Sequence, residues 1–342
     1  MPQGAYTQID ELLRCRFLAQ SLSLFPKRKA RSVLTGNERT HFRGRGMDFE
    51  EVRLYQAGDD IRSIDWRVTA RTQVTHTKVY REERERPVLI LVDQRSSLFF
   101  GSRNCFKSVL AAEIAATLAW AALARGDRLG GLVLGNDNQR DIKPRRSKHA
   151  VLEFLHQIHD FNQQLQSPFY SQQNDINPLI QDARRIAKPG SAVFIISDFQ
   201  DLTDKDTASV YQLTRHTDVT FIQVSDPLEA DLISPHNLSI SNGTQQIVLP
   251  TQEKKFQSAF HQQFESKQDQ LKNLCQRMGI ALLDFSTDVD LTRAMQKYFS
   301  NAAHHPTLTL PLARGGDSSH SALSRESSSS PLPRGRLGGG DE

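Results

Sequence analysis

Cysteine is scarce: the 342 residues hold three, Cys15, Cys105 and Cys275, far apart and odd in number. They make neither a disulfide framework nor a Cys-x-x-Cys zinc site, so a reducing compartment is expected. Charge of one sign is also in short supply. Forty-three Lys and Arg stand against 39 Asp and Glu, a formal net of +4, well short of the basic stripe of a dedicated nucleic-acid binder. Long apolar runs are lacking as well. The most membrane-like stretch, 109–124, is interrupted by Glu113 and closed by Arg125, below the roughly 20 apolar residues that span a bilayer, so a buried helix is expected. The opening Met1-Pro2-Gln3-Gly4-Ala5-Tyr6 carries no basic stretch followed by an apolar run, so no secretion signal is read there and a cytoplasmic protein without a membrane span is expected.

Several catalytic signatures are missing. No Gly-x-Ser-x-Gly elbow occurs, which removes the usual sequence sign of a serine hydrolase. The eleven histidines show no ligand spacing. Gly101-Ser102-Arg103-Asn104-Cys105-Phe106-Lys107-Ser108 has the position of a phosphate loop, but Phe106 fills the place where glycine must let the backbone wrap a phosphate. An aspartyl-nucleophile phosphotransferase would want a second Asp two residues after Asp93, where Arg95 stands.

What is present falls into three parts. Residues 8–24 place Ile9, Leu12, Leu13, Phe17 and Leu18 at helical spacing, predicting an amphipathic first helix. Residues 27–86 hold 15 basic and 10 acidic residues, so the excess of positive charge sits wholly there; with the first helix they make an N-terminal part, 1–86, whose charged module is β-rich. From 87 the texture changes to short apolar runs alternating with helical patterns: Val88-Leu89-Ile90-Leu91-Val92, 129–134, Ala192-Val193-Phe194-Ile195-Ile196, 219–224 and 280–285 as strands, and 107–124, 151–158, 176–186, 204–215, 252–277 and a last segment through Phe299 as helices. Continuous apolar strands between helices predict a doubly wound α/β domain over 87–302, its mostly parallel sheet covered on both faces. Residues 238–249 carry a hairpin signal around Asn242-Gly243. The tail, 303–342, is dominated by Ser, Pro, Gly and Arg, a composition that predicts disorder.

Asp93 and Asp198 close two predicted strands, where ligands of open α/β sheets bind. With Ser96, Ser97 and Ser197 beside them they offer oxygen ligands for a hard cation such as Mg²⁺, although spacing alone favours their capping the turns that follow. The charged module reads Arg53-Leu54-Tyr55-Gln56-Ala57-Gly58-Asp59-Asp60-Ile61-Arg62-Ser63-Ile64-Asp65-Trp66-Arg67, then Ala70-Arg71. Such density usually builds an ion-pair network. Its functional reading is a docking surface, with Arg62, Asp65 and Arg67 around Trp66, since Arg and Trp are frequent interface anchors; Trp66 fits the core of the module equally well.

The run Gly44-Arg45-Gly46-Met47-Asp48-Phe49-Glu50-Glu51-Val52-Arg53, with Tyr55, Gly58-Asp59-Asp60, Ile64-Asp65-Trp66, Ala70-Arg71, Val88 to Asp93, Lys107-Ser108-Val109, Gly126-Asp127-Arg128 and Ile196-Ser197-Asp198-Phe199, resembles the signature of a bacterial family, domain of unknown function fifty-eight. The resemblance covers roughly residues 8–300. It implies a fold like von Willebrand factor type A, a metal-ion-dependent adhesion site, no established catalysis, and partnership with MoxR-type AAA+ ATPases in chaperone-like maturation of client proteins. The adhesion motif is Asp-x-Ser-x-Ser. Asp93 and Ser97 match it, Arg95 replaces the first Ser, the Thr of a second loop aligns with Asn174, and the Asp of a third with Asp198. Arg95 is therefore expected to fill the cation's place between Asp93 and Asp198, leaving a degenerate, metal-free site; a bound ion would use Asp93, Ser97 and Asp198.

The leading expectation is a non-enzymatic adaptor docking on an AAA+ ATPase or its client through the strand-end loops and the module residues Arg53, Tyr55, Asp59, Asp60, Arg62, Asp65, Trp66, Arg67 and Arg71. The alternative is a metal-dependent hydrolase using Asp93 and Asp198, with Asp59, Asp60 or Asp65 nearby. Nucleic-acid binding through Arg43, Arg45, Arg53, Arg62, Arg67 and Arg71 is the third reading, weakened by the interleaved acids.

Overall fold

A strand that is apolar at five consecutive positions has to be covered on both faces, and Val88 to Val92 are all buried. The computed structural model describes residues 2–24, 47–82, 86–166, 175–232, 237–241 and 246–299. Asn174, the 242–245 turn and the 303–342 tail lie outside them, as do Arg43 and Arg45. In chain order the elements are α1 (Ile9–Ala19), β1 (Met47–Leu54), α2 (Trp66–Thr72), β2 (His76–Glu82), β3 (Pro87–Asp93), α3 (Lys107–Arg125), β4 (Arg128–Leu134), β5 (Gln139–Arg145), α4 (Lys148–Gln164), α5 (Asn177–Ile186), β6 (Ala192–Ser197), α6 (Thr207–Thr214), β7 (Asp218–Ser225), α7 (Pro227–Ala230), β8 (Leu238–Ser241), β9 (Gln246–Leu249), α8 (Lys254–Met278), β10 (Ala281–Ser286) and α9 (Leu291–Phe299).

The central sheet runs β10-β7-β6-β3-β4-β5. Its strands are parallel except β5, which returns antiparallel along β4. One face is packed by α1, α3, α4 and α9, the other by α5, α6 and α8. The chain is thus α/β, a mostly parallel sheet between two helical layers. The sequence reading has no counterpart to β5, because in Gln139-Arg140-Asp141-Ile142-Lys143-Pro144-Arg145 only Ile142 is buried. A charged edge strand has no apolar pattern to betray it, and Pro and charge suit an edge that must not recruit another strand.

Helix α3 is the centre of one core: Val109, Ile114 and Leu118 are wholly shut from solvent, each such side chain contributing about 1.5–3 kcal/mol. It stops at Gly126, whose φ of 83° is a left-handed conformation that glycine adopts without strain, its N–H capping Ala122 and Leu123. The N-terminal helix α1 does not stand apart with the charged module. Its Leu12, Cys15 and Ala19 enter the same core, and Trp120 Nε1 on α3 donates to the Leu12 carbonyl at 3.2 Å. The three thiols are free and buried, and burial pushes each up to about 12, which leaves them protonated and poor nucleophiles.

The charged module is β1 paired antiparallel with β2, with α2 in the intervening segment. Among its described side chains from 51 to 78, only Thr77 is buried. The β8–β9 pair joins neither of the other sheets.

Candidate functional site at the strand ends

After β3 the chain moves to β4 on one side, and β6 later adds to β3 on the other. The carboxyl ends of β3 and β6 therefore flank the point where strand order reverses, the usual ligand crevice of open α/β sheets. Asp93 closes β3 and Ser197 closes β6; the Ser197 hydroxyl donates to Asp93 Oδ2 at 2.7 Å.

Arg95 turns back onto Asp93. Its backbone N–H and Nε both reach Oδ1 at 3.0 Å, and Nη2 reaches Oδ2 at 2.6 Å. The far side of the guanidinium meets Asp201, with Nη1 to Oδ2 at 2.6 Å and Nη2 to Oδ1 at 3.3 Å. Arg95 is 1% exposed and Asp93 0%. Burial opposes the charge on Arg95, but hydrogen bonds and attraction from Asp93 and Asp201 outweigh it and hold the guanidinium above its ordinary value.

Asp198, one residue beyond β6, belongs to a second cluster. The Lys107 ammonium at the start of α3 lies 2.9 Å from Asp198 Oδ2 and 2.6 Å from Glu229 Oε1. Burial pushes the Asp198 carboxyl up, and the Lys107 ammonium pulls it back. Despite its own burial, Lys107 is held above the ordinary lysine value by Asp198 and Glu229. Glu229 is fixed in turn by the Asp226 N–H, which donates to its Oε2 at 3.0 Å. The Asp226 carboxylate ties three loops: it accepts from Ser102 N at 2.7 Å, Thr287 Oγ1 at 2.6 Å and Leu228 N at 2.9 Å. Burial works against its charge, yet these donors hold Asp226 below the usual carboxylate range.

The expected placement of Arg95 between Asp93 and Asp198 is therefore corrected. The guanidinium bridges Asp93 and Asp201, and a separate cation, Lys107, takes Asp198. The reason is the crossover. Helix α3 starts beneath the β6 loop and delivers Lys107 there, while the turn after Asp198 swings Asp201 towards Arg95. Asp201 and Glu229 have no sequence signal of their own, and Lys107 stands out only as the lysine of the phosphate-loop-like segment. That segment sends its lysine inwards to carboxylates. Ser97 Oγ is buried and has no hydrogen-bond partner among the described residues, and the Ser96 N–H donates to Asn136 Oδ1 at 2.8 Å.

A hard cation needs free oxygen lone pairs. Both oxygens of Asp93 accept two donors each, whereas Asp198 accepts one on each oxygen, from Lys107 and from Gln200 N. Asp93, the motif carboxylate, as arranged has no lone pair for a divalent ion, and the Lys107 ammonium already lies against Asp198. Among the described residues no three His, Cys, Asp or Glu side chains converge as a ligand set.

The acids of the charged module do different work. Asp59 accepts from Arg53 Nη2 at 2.8 Å and from Gln56 N at 3.0 Å; the Tyr55 hydroxyl donates to its carbonyl. Asp60 accepts from Arg62 N at 2.9 Å. Asp65 caps α2, accepting from Arg67 N at 3.0 Å and Val68 N at 3.2 Å, and the Val68 donor foremost holds its carboxyl below the ordinary range. Trp66 is 66% exposed, so it is not the core of the module.

Residues 51–270 match the family described as "Protein of unknown function DUF58". The chain belongs to this family. Its relatives include the uncharacterized protein Rv1480 of Mycobacterium tuberculosis and the uncharacterized protein Mb1516 of Mycobacterium bovis, each 32% identical over 213 residues, or 62% of this chain. The match spans 66% of the length of these relatives. Similar solved structures include the conserved hypothetical protein BatB from Bacteroides thetaiotaomicron, at 15% identity and a TM-score of 0.35 over 56% of this chain and 97% of that one. An aerotolerance-related membrane protein from Bacteroides fragilis gives 17% and 0.36, over 62% of this chain and 95% of that one.

Proposed function

We propose that this DUF58 chain is a cytoplasmic, non-enzymatic adaptor, a von Willebrand A-like platform that works with an AAA+ ATPase of the MoxR type on a client protein. The observation that carries the reading is the pairing of each strand-end carboxylate with a buried internal cation. Asp93 and Asp198, the residues that would have to hold a metal or act as bases, are neutralised from within by Arg95 and Lys107. A buried carboxylate held by an internal cation is a poor base and a poor metal ligand, so the crevice serves as a rigid surface rather than a reaction centre. A hydrolase would first have to expel both internal cations, and breaking a buried pair costs about 3–5 kcal/mol.

The test is co-purification from the native host with a tagged copy, beside an Arg62→Ala, Trp66→Ala, Arg67→Ala variant. Recovery of an AAA+ ATPase that the variant loses is expected. Absence of the ATPase, together with metal-dependent turnover of substrates by the folded chain, would replace the adaptor with a hydrolase.

A further inference from the structure

Along the sequence the charged module interleaves acids with bases. Between residues 59 and 71 the structure separates them. Asp59, Asp60 and Asp65 each accept backbone N–H groups of the adjoining turn or helix, and Asp59 also holds Arg53. Their carboxylates are engaged within the module. Arg62, Arg67 and Arg71 remain exposed, and no ion pair engages them among the described residues. On α2, Trp66, Arg67, Ala70, Arg71 and Thr72 are the exposed positions, the first four an i, i+1, i+4, i+5 stripe along one side of the helix. Ile61, also 66% exposed, and Arg62 precede it directly. The outward surface is thus cationic with large apolar side chains set into it.

We propose that this surface, Ile61, Arg62, Trp66, Arg67 and Arg71, docks an acidic polypeptide segment bearing apolar side chains. This rests on the adaptor reading and names the chemistry of its partner. Charge decides among occupants. The chain's own segment 25–46 holds seven Lys or Arg and one Glu, so it repels the face, and a second copy would set arginines against arginines. A carboxylate-rich segment pairs with the guanidinium forks bidentately, while Trp66 and Ile61 offer it apolar anchor points. Nucleic acid would use the arginines and stack on Trp66 but leave Ile61 without a counterpart.

Trp66 reports on its own surface, because the other tryptophan, Trp120, is 7% exposed. The full chain is titrated, following tryptophan emission, with a short synthetic peptide of glutamates interspersed with leucines. Parallel titrations use the same peptide with lysines, oligothymidylate, and phosphatidylglycerol vesicles. The expected result is a saturable blue shift with the glutamate peptide alone, weakened by salt. Binding should fall by about tenfold or more in an Arg62→Gln, Arg67→Gln, Arg71→Gln variant whose melting temperature is unchanged. An Arg62→Glu, Arg67→Glu variant should turn the preference to the lysine peptide. Absence of a saturable shift, equal binding by the Gln variant, or tighter arginine-dependent binding of oligothymidylate or vesicles would each overturn the proposal. An ATPase recovered through another face would overturn it while leaving the adaptor reading standing; peptide binding without an ATPase would do the reverse.

Discussion

Arg95 Nη2 lies 2.6 Å from Asp93 Oδ2, and the two side chains, only two residues apart, are both closed to solvent at the end of β3. The same guanidinium reaches Asp201 across the crevice. Removing it strands two carboxylates, one of them fully buried. Arg95→Met should therefore destabilise the fold by about 3–5 kcal/mol. The Asp93→Asn, Arg95→Met double variant should lose much less than the two single losses added, since only the partly exposed Asp201 is then left without its partner. Urea midpoints of the four proteins complete the cycle, and additive losses would show that the pair is not coupled.

Divalent ions should act only once the guanidinium is gone. Mg²⁺ or Mn²⁺ is expected to leave the melting temperature of the natural chain unchanged, because Asp93 has no lone pair to offer. In Arg95→Ser, Asp93, Ser97 with its unpartnered hydroxyl and the new hydroxyl form an oxygen-rich set, so a saturable rise in melting temperature is expected, lost on adding Asp93→Ala. A rise in the natural chain that Asp93→Ala abolishes would refute the internal-cation account.

Glu113, buried in α3, has its carboxyl pushed from 4.5 to about 7, first by burial and then by the nearby Glu11. Between those values the folded chain keeps a proton that the unfolded chain has released. Stability should accordingly fall as pH rises through this window, by about 3 kcal/mol in all. Glu113→Gln removes the loss above neutrality and flattens the profile. Urea midpoints from pH 5 to pH 8 decide it: parallel curves for the two proteins would rule the assignment out.

Gly131 in β4 lies under the Phe154 ring, where an added Cβ would stand 2.5 Å from Cδ2. Gly131→Ala should destabilise by about 1–3 kcal/mol through overpacking. A Phe154→Leu background should recover part of that, as calorimetry of the single and double variants would reveal; no recovery would place the strain elsewhere.

The buried strands were legible because a sheet covered on both faces demands uninterrupted apolar residues, and Val88 to Val92 or Ala192 to Ile196 have little other use. Helix α3 was legible for the same reason. Strand β5 was not, since an edge strand with one buried residue leaves the chain no pattern to display. At the site, the pairing of Asp93 with Arg95 was visible two residues apart, and the replacement of a motif serine by arginine pointed to it. Its second partner was misjudged.

Sequence alone determined the alternation of strand and helix, the strand-end position of Asp93 and Asp198, and the composition of the charged module, because each depends on neighbours within a few residues. Only the tertiary structure decided which cation meets which carboxylate. Lys107 reaches Asp198 across 91 residues and Arg95 reaches Asp201 across 106, separations closed by the crossovers of a parallel sheet. It also decided which charges of the module face outwards, because the turns between β1 and β2 direct three aspartates to backbone N–H groups and leave three arginines in solvent.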